Sequence, residues 1–161
     1  MIEGRLRVVA SSWSDNPMKG AEVYRWMDER LDPARFEFTF VGRCGAPLAR
    51  ARVVPPLASA ELADLLRGQH VYVTASREDS CSNALIEALA CGLPALYHDS
   101  GGNRELTGFG GLPFSRPEEI PHRLERLRAH HGAFRALIRV PTIDEVCDAY
   151  LALALGDEAY R

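Results

Sequence analysis

Residues 70–94 read HVYVTASREDSCSNALIEALACGLP, and the fold is clearest in this stretch. The β-rich run at 70–75 predicts a strand, and the small and acidic residues at 76–82 predict a loop at its carboxyl end. Asn83–Cys91 is strongly helical, with an N-cap at Ser82-Asn83, and the Gly-Leu-Pro that follows turns the chain. The stretch is therefore a strand, a loop and a helix whose first backbone N–H groups point into the loop.

The same alternation continues on both sides of this stretch. Strands followed by helices of about ten to fifteen residues are typical of βαβ crossovers in a parallel sheet. We therefore expect one α/β, Rossmann-like, three-layer αβα domain over residues 6–155, with 156–161 as a tail. In such sheets, ligands bind at the carboxyl ends of the strands, where the polar loops of this chain fall. The other predicted strands are Leu6–Ala10, Phe36–Val41, Val53–Val54 and Ala95–Tyr97. The predicted helices are Met18–Leu31, Ser59–Arg67 (capped by Ser59), a short one opened by Ser100–Asn103, Pro117–His131 and Thr142–Leu155. The predicted loops are Ser11–Pro17 and Gly108–Pro113.

Composition restricts the class of protein. With 161 residues, 47% hydrophobic and 25% charged, the chain suits a single globular domain with a hydrophobic core. A net charge of −3 gives no basic patch for nucleic acid, and no apolar stretch reaches the roughly 18 residues of a membrane span. The four cysteines and five histidines lack the spacing of a metal site. We expect a cytoplasmic protein with reduced thiols and neither metal nor cofactor.

The first residues contain a recognisable short sequence. Ile2–Arg5 reads Ile-Glu-Gly-Arg, which is the recognition sequence of a protease used to process recombinant proteins. We expect residues 1–5 to be a remnant of engineering and the chain to be cut from a longer protein; a chance match is the alternative.

Two features of residues 76–94 predict a binding site. A helix N-terminus preceded by the small-residue loop Asp79–Ser82 suits a diphosphate, because free backbone N–H groups and the helix dipole both attract anions. Glu87 is the only charged residue between Ala84 and Leu93, and a carboxylate in an apolar helix needs hydrogen-bond donors. The two hydroxyls of a ribose would satisfy it, and so would an arginine partner or solvent.

Two further signals are weak when taken singly. Lys19-Gly20 follows the loop after the first strand, where the lysine either holds a phosphate as a point charge or is simply solvated. Gly101-Gly102 opens a second short helix beside the same crevice, where the pair forms either a second anion site or a tight turn.

The order of these motifs along the chain resembles the C-terminal domain of GT-B glycosyltransferases. Lys-Gly, Val-Gly-Arg, Pro-Pro, Glu-Ala-Leu-Ala-Cys-Gly-Leu-Pro and Gly-Gly-Asn-Arg-Glu-Leu follow successive strands over residues 6–155. The chain is similar in particular to the retaining glycosyl transferases of group 1 (family 4-like), which are marked by two acids separated by seven residues. The densest part of the resemblance is Asn83–Glu105.

The resemblance implies roles for individual residues. Lys19 corresponds to the lysine that contacts the donor diphosphate, Glu87 to the acid that holds the ribose hydroxyls, and Asp79 to the acid that faces the transferred sugar. These three are the implied catalytic residues. Glu78 lies one residue too early for the first acid, although a local bulge could exchange the two. The other implied nucleotide-sugar-binding residues are Ser14, Gly42, Arg43, Ser80, Cys81, Ser82, Asn83, Gly101 and Gly102, together with Pro56 and Leu57, which form the base pocket with Pro55.

Two positions depart from the family pattern. Five residues before the lysine the family usually has an arginine, and Ser14 stands there in this chain. The loss of that cation weakens phosphate neutralisation unless Arg43, Arg77 or Arg104 replaces it. Asp79 is also shorter than the usual glutamate and reaches less far toward a sugar.

The implied activity is transfer of a sugar from a nucleoside-diphosphate sugar, with UDP-sugars favoured, without a metal and with retention of the anomeric configuration. A chain of 161 residues has room for one half of such an enzyme. We therefore expect this chain to be the donor-binding half, which needs an N-terminal acceptor domain in cis or in trans. The full enzyme is expected to have no membrane span but to be able to associate with a membrane surface. The alternatives are a non-catalytic nucleotide-sugar-binding module and a sugar-nucleotide epimerase-like protein.

Overall fold

Six parallel strands form one sheet within residues 2–156, which are the residues that the computed structural model describes. The strands are β1 (Leu6–Ser12), β2 (Phe36–Gly42), β3 (Arg52–Val54), β4 (Val71–Thr74), β5 (Ala95–His98) and β6 (Gly111–Phe114). Their order across the sheet is β3-β2-β1-β4-β5-β6, and every neighbouring pair is parallel. The chain therefore reverses its direction of winding between β1 and β4. The predicted α/β fold with a parallel sheet is confirmed.

Helices cover both faces of the sheet. They are α1 (Ala21–Arg30), α2 (Ser59–Arg67), α3 (Asn83–Ala90), α4 (Asn103–Thr107), α5 (Ile120–Ala129), α6 (His131–Ala136) and α7 (Ile143–Leu155). Among residues 2–156, no helix combines the length and the apolar character that spanning a bilayer requires.

Two hydrophobic clusters lie on opposite faces of the sheet, because successive side chains of a strand point to opposite sides. Val8 and Ala10 of β1 pack in the first cluster with α1 and α5, whereas Val9 packs in the second with α2 and α3. The sheet is thus buried on both faces, as is typical of parallel sheets. The resulting three layers leave the carboxyl ends of the strands free for a binding site.

The prediction of a loop at Gly108–Pro113 was wrong, because β6 begins at Gly111. A side chain at Gly111 would collide with the carbonyl of Ala95 on β5, so glycine is needed where this strand pairs. Pro113 lacks an N–H but is tolerated because β6 is an edge strand. The glycine and proline that resemble a loop in the sequence therefore suit an edge strand.

Several predicted boundaries also needed correction. The helix expected at Met18–Leu31 is divided by Gly20, whose left-handed φ of +75° separates a 3-10 turn from α1. Ser59 is the first residue of α2 and not its cap, since Ala58 precedes it and donates its N–H to Glu61. Two further corrections are that Pro117–His131 forms a 3-10 turn, α5 and the start of α6, and that Ser11 and Ser12 belong to β1.

The residues near the N-terminus contact the rest of the domain. Ile2 packs against the first hydrophobic cluster, and Arg128 donates a hydrogen bond of 2.6 Å to the carbonyl of Gly4. Residue 1 and residues 157–161 lie outside the described residues, so the expectations for 1–5 and for the tail stay predictions.

Candidate functional site

A cavity of about 250 Å³ opens between the carboxyl ends of β1 and β4, where the winding of the chain reverses. Ligands of open α/β sheets bind at this point, because the loops diverge there and leave a crevice. The structure brings six of the predicted site residues to its wall: Ser14, Lys19, Asp79, Cys81, Ser82 and Asn83.

An ion pair occupies one side of this cavity. Lys19 Nζ lies 2.8 Å from Asp79 Oδ2, and the two side chains are 38% and 16% exposed. Ser76 Oγ donates a second hydrogen bond to the same carboxylate at 3.1 Å. Burial alone would raise the pKa of Asp79, but the hydrogen bonds from Lys19 and Ser76 outweigh it, and the pKa lies below its usual range. Asp79 is therefore ionised at neutral pH and neutralises the lysine.

Glu78 does not take the place of Asp79 beside the lysine. Its backbone has a left-handed φ of +52°, which is uncommon for a residue other than glycine. Its carboxylate accepts a hydrogen bond of 3.0 Å from Ser100 Oγ, and its own N–H donates to the same hydroxyl. The unusual backbone conformation thus turns Glu78 toward the loop after β5 and leaves Asp79 at the cavity.

The N-terminus of α3 forms the wall opposite β1. Ser82 precedes the helix and is buried, whereas Cys81 and Asn83 are exposed. The side chain of Ser82 makes no capping hydrogen bond, so the first N–H groups of the helix are not covered by it. Because the first N–H groups of an α-helix have no acceptor within the helix, they attract an anion.

Glu87 lies one helical turn after Asn83 and borders the groove between α2 and α3. It forms no hydrogen bond or ion pair within residues 2–156, so the arginine partner is not found and the carboxylate is exposed. Partial burial nevertheless raises its pKa. Burial raises the pKa of Tyr72 in the cavity wall to about 12, with smaller contributions from the charges of Glu87 and Asp79. Glu87 itself lines the groove between α2 and α3 and does not line the cavity of Lys19.

The predicted residues at the end of β2 and after β3 do not line the cavity. A side chain at Gly42, where φ is +100°, would collide with the carbonyl of Ser12. Arg43 has an exposed side chain, and its N–H donates to that same carbonyl at 2.7 Å. Pro56 is exposed and Leu57 packs partly against the second hydrophobic cluster. Their predicted contacts with a nucleotide stay predictions.

Gly101 and Gly102 support the loop after β4. Side chains at these positions would collide with the backbone of Asp79 and Ser80, and the Gly102 N–H donates to the Asp79 carbonyl at 2.9 Å. This N–H is therefore used within the protein. The pair does not line the cavity, and its geometry is that of a close turn packed on residues 79–80.

Asn103 is a positioning residue that the sequence reasoning missed. It is fully buried, and its side-chain amide donates to the carbonyls of Ser76 at 2.9 Å and His98 at 3.1 Å. These bonds tie the loop after β4 to the end of β5. The available signal in the sequence was an asparagine directly after Gly-Gly, at the predicted start of a helix.

Two hydroxyl groups in the cavity wall were also missed. Ser11 Oγ and the Tyr72 hydroxyl lie 3.0 Å apart at the wall of the cavity. The signal for Ser11 was a polar residue at the carboxyl end of an otherwise apolar strand, whereas Tyr72 lies within β4 and gave no such signal. The remaining cavity residues outside the predicted set are Ser12, Trp13, Tyr24, Thr74, Ser76 and Ala84.

Replacement cations for the arginine absent at position 14 are mostly engaged. Arg77 pairs with Glu22 at 2.9 Å, and Arg104 pairs with Asp99 at 2.7 Å. None of the three proposed replacements lines the cavity. Among residues 2–156, Lys19 is therefore the cationic side chain that lines the cavity.

Comparison with known protein families shows to which family the chain belongs. The family model for glycosyl transferases group 1 matches residues 19–130, which is more than half of the sequence. The chain belongs to this family. The match includes Lys19, Asp79 and Glu87, whereas β1 and the cavity residues Ser11–Ser14 precede it. No curated protein sequence is significantly similar to the chain.

Solved structures share the fold of this group 1 domain at low sequence identity. Sucrose-phosphate synthase from Thermosynechococcus elongatus has a TM-score of 0.69 and 16% identity, covering 94% of this chain and 46% of that protein. HepE from Anabaena, in complex with UDP-glucose, has a TM-score of 0.66 and 17% identity, covering 81% and 41%. UDP-GlcNAc 2-epimerase from Neisseria meningitidis, bound to UDP-GlcNAc, has a TM-score of 0.59 and 13% identity, covering 97% and 45%. The chain thus spans less than half of these proteins.

Proposed function

We propose that this domain binds the nucleoside-diphosphate sugar donor of a glycosyltransferase, with a UDP-sugar as the favoured donor. The observation that carries the proposal is the cavity at the reversal of the sheet, which is lined by both Lys19 and the N-terminus of α3. Membership of the group 1 family supports the same reaction class. Of the two acids of the family pattern, Asp79 lines this cavity and Glu87 lies one turn further along α3 than Asn83, which also lines it.

Sugar transfer requires stabilisation of the departing diphosphate as the anomeric carbon becomes cation-like. In the proposed mechanism, Lys19 and the N–H groups at the start of α3 supply this positive potential, which is most effective when its dipoles are already oriented. The ribose hydroxyls donate to Glu87, whose exposed carboxylate has no other partner within residues 2–156. No metal and no cofactor enter the proposed reaction, and retention of configuration is part of the proposal through the family resemblance.

The acceptor is proposed to bind to a separate N-terminal domain, in cis or in trans, across the same crevice. The chain spans 46% of one structural relative and 41% of another. The group 1 domain by itself is then expected to bind a donor without transferring the sugar. The reading frame upstream of codon 6 in the natural gene tests this part directly.

A second candidate is a nucleotide-sugar-binding module without transferase activity. Ser14 in place of the usual arginine and the neutralised Lys19 both favour weaker stabilisation of a leaving diphosphate. An epimerase-like activity has support only from a shared fold at 13% identity. Adding the acceptor half separates these candidates, because a binding module stays silent while a transferase half gains activity.

Calorimetry with UDP and UMP tests the donor site. UDP is expected to bind more tightly than UMP, and Lys19→Ala is expected to reduce this preference by about tenfold or more, because a charge-assisted hydrogen bond to phosphate is lost. Arg25→Ala is the matched control, since Arg25 is an exposed cation on α1 whose ion pair with Glu29 is long at 4.0 Å. Equal affinities for UDP and UMP in the unmodified protein would exclude Lys19 and α3 as diphosphate contacts.

A further inference from the structure

Trp13 presents an exposed aromatic ring at the wall of the cavity. It follows directly after β1, lines the cavity and is 40% exposed. The two tyrosines of the same wall are buried, and their hydroxyls are engaged: Tyr24 accepts a hydrogen bond from the N–H of Ala75 at 3.0 Å, and Tyr72 bonds to Ser11. Covering an exposed indole is favourable because it removes a large apolar area from water. Trp13 is therefore an aromatic surface that a ligand in this cavity would cover.

The ring of Trp13 lies against bare backbone at the end of β2. A Cβ atom at Gly42 would come within 3.0 Å of Trp13 Cε3, in addition to its collision with the carbonyl of Ser12. The lack of a side chain at position 42 lets the indole lie at this place. Trp has only two side-chain torsions, so a ring held in this way loses little conformational entropy when it binds a ligand.

Position along the sheet edge decides which part of a nucleotide meets the ring. Because β1 lies between β2 and β4, Trp13 stands between the end of β2 and the Lys19–Asp79 pair. A diphosphate at Lys19 has its sugar on one side and its nucleoside on the other. A second groove of about 260 Å³ beside the pair is lined by Asn16 and Ser80, whose polar groups suit sugar hydroxyls. The indole on the Trp13 side suits the flat face of a base.

We propose that the Trp13 indole stacks on the nucleobase of the bound nucleotide. The inference rests on the proposed function, since a diphosphate at Lys19 determines where the base lies. Base stacking on an aromatic side chain tolerates every base, because each has a π face. Trp13 therefore selects nucleotides over other diphosphates, and does not select one base over another.

Fluorescence and calorimetry together test the stacking. The chain has two tryptophans, Trp13 and Trp26, and Trp26 packs partly against the first hydrophobic cluster. In the full chain carrying Trp26→Phe, the emission of Trp13 is expected to be quenched by UDP and not by inorganic pyrophosphate. Trp13→Ala is expected to weaken UDP binding by about tenfold to a hundredfold. Trp13→Phe, which keeps an aromatic ring, is expected to retain most of the affinity.

The pyrophosphate measurement separates stacking from a general effect on the cavity. If Trp13→Ala weakens UDP and pyrophosphate equally, the ring shapes the loop and the stacking is overturned. If the variant binds UDP normally and loses affinity only for UDP-glucose, the ring contacts the sugar and the proposal is equally wrong. An unchanged UDP affinity in the variant overturns the stacking while the donor site stands. If the unmodified chain binds neither UDP nor pyrophosphate, the proposed function fails together with the inference.

Discussion

Removing the negative charge of Asp79 tests how the site holds its cation. Asp79→Asn keeps the shape of the side chain and an oxygen atom for Lys19 Nζ, which now lies 2.8 Å from the carboxylate. A phosphate oxygen bound to another hydrogen of the same ammonium group would lie roughly 5 Å from the carboxylate oxygen, because both oxygens surround one tetrahedral nitrogen. The carboxylate therefore repels the diphosphate that Lys19 is proposed to bind.

The size of this repulsion follows from the separation. Two unit charges about 5 Å apart interact by about 1–3 kcal/mol at effective dielectric constants of about 20 to 60. We therefore expect Asp79→Asn to tighten UDP binding by about fivefold to a hundredfold. The free energy of unfolding is expected to fall by about 1–2 kcal/mol, between the values for exposed and buried ion pairs. Because the pKa of Asp79 is lowered, this contribution is present at neutral pH and is lost as the pH falls below about 4.

Calorimetry at neutral pH and low salt measures the first effect, and urea unfolding measures the second. Asp15→Asn is the matched control, since it removes an exposed carboxylate from the loop after β1 that does not line the cavity. A variant at Asp79 that binds UDP more weakly would refute the reasoning, because the charge would then be needed to orient the lysine. Normal UDP affinity with weaker UDP-glucose binding would instead favour the contact with the transferred sugar that the family resemblance implies.

Three further substitutions test other parts of the site and the fold. Glu87→Gln is expected to weaken UDP binding by about tenfold, because a ribose hydroxyl loses a charged acceptor. It should leave the unfolding free energy equal or higher, because a raised carboxyl pKa means that the charged form destabilises the fold at neutral pH; a loss of stability with unchanged affinity would assign Glu87 to the fold. Burial lowers the pKa of His70 to about 4. As the pH falls below about 6.5, the unfolded state therefore takes up a proton before the folded state does. The free energy of unfolding should drop by about 1 kcal/mol between about pH 7 and 5 after allowance for solvent screening. Urea titrations of His70→Gln should lose this drop, and an unchanged pH dependence would exclude His70 as its source. Asn103→Ala is expected to lower the unfolding free energy by about 2–3 kcal/mol, because the carbonyls of Ser76 and His98 lose their donor; urea unfolding within experimental error of the unmodified protein would show that water replaces the amide.

The elements that the sequence predicts well are those whose pattern is local. The apolar strand at 70–75 and the helix from Asn83 are recognisable because burial on both faces of a parallel sheet requires continuous apolar runs. Gly111 and Pro113 mislead because their local preference is for loops, while the edge of the sheet accepts them. Gly20 interrupts the expected first helix with its left-handed φ, and a side chain there would collide with the carbonyl of Ala75, a contact across more than fifty positions in the chain that no local pattern contains.

The residues of the site also divide into those predicted from their neighbours in the chain and those that only the fold brings together. Spacing within residues 76–94 predicted the loop, the start of α3 and the isolated Glu87, all of which depend on neighbours in the chain. The ion pair between Lys19 and Asp79 joins residues sixty positions apart, and sequence reasoning assigned each of them to the ligand separately. Trp13 gave no signal because a single aromatic residue after a strand has no pattern to distinguish it.

The electrostatics of the site limit how a donor can be held. The positive charge of Lys19 is already neutralised by Asp79, and Ser14 supplies no cation where the family usually has one. In the proposed function, a free pyrophosphate therefore gains only the hydrogen bond from Lys19 and those from the N–H groups of α3, and the nucleoside has to provide most of the affinity through Glu87 and Trp13. The expected order is UDP well above pyrophosphate, with the difference reduced by Trp13→Ala and by Glu87→Gln. If pyrophosphate binds as tightly as UDP, the anion site is strong by itself and the neutralised lysine is not what limits binding.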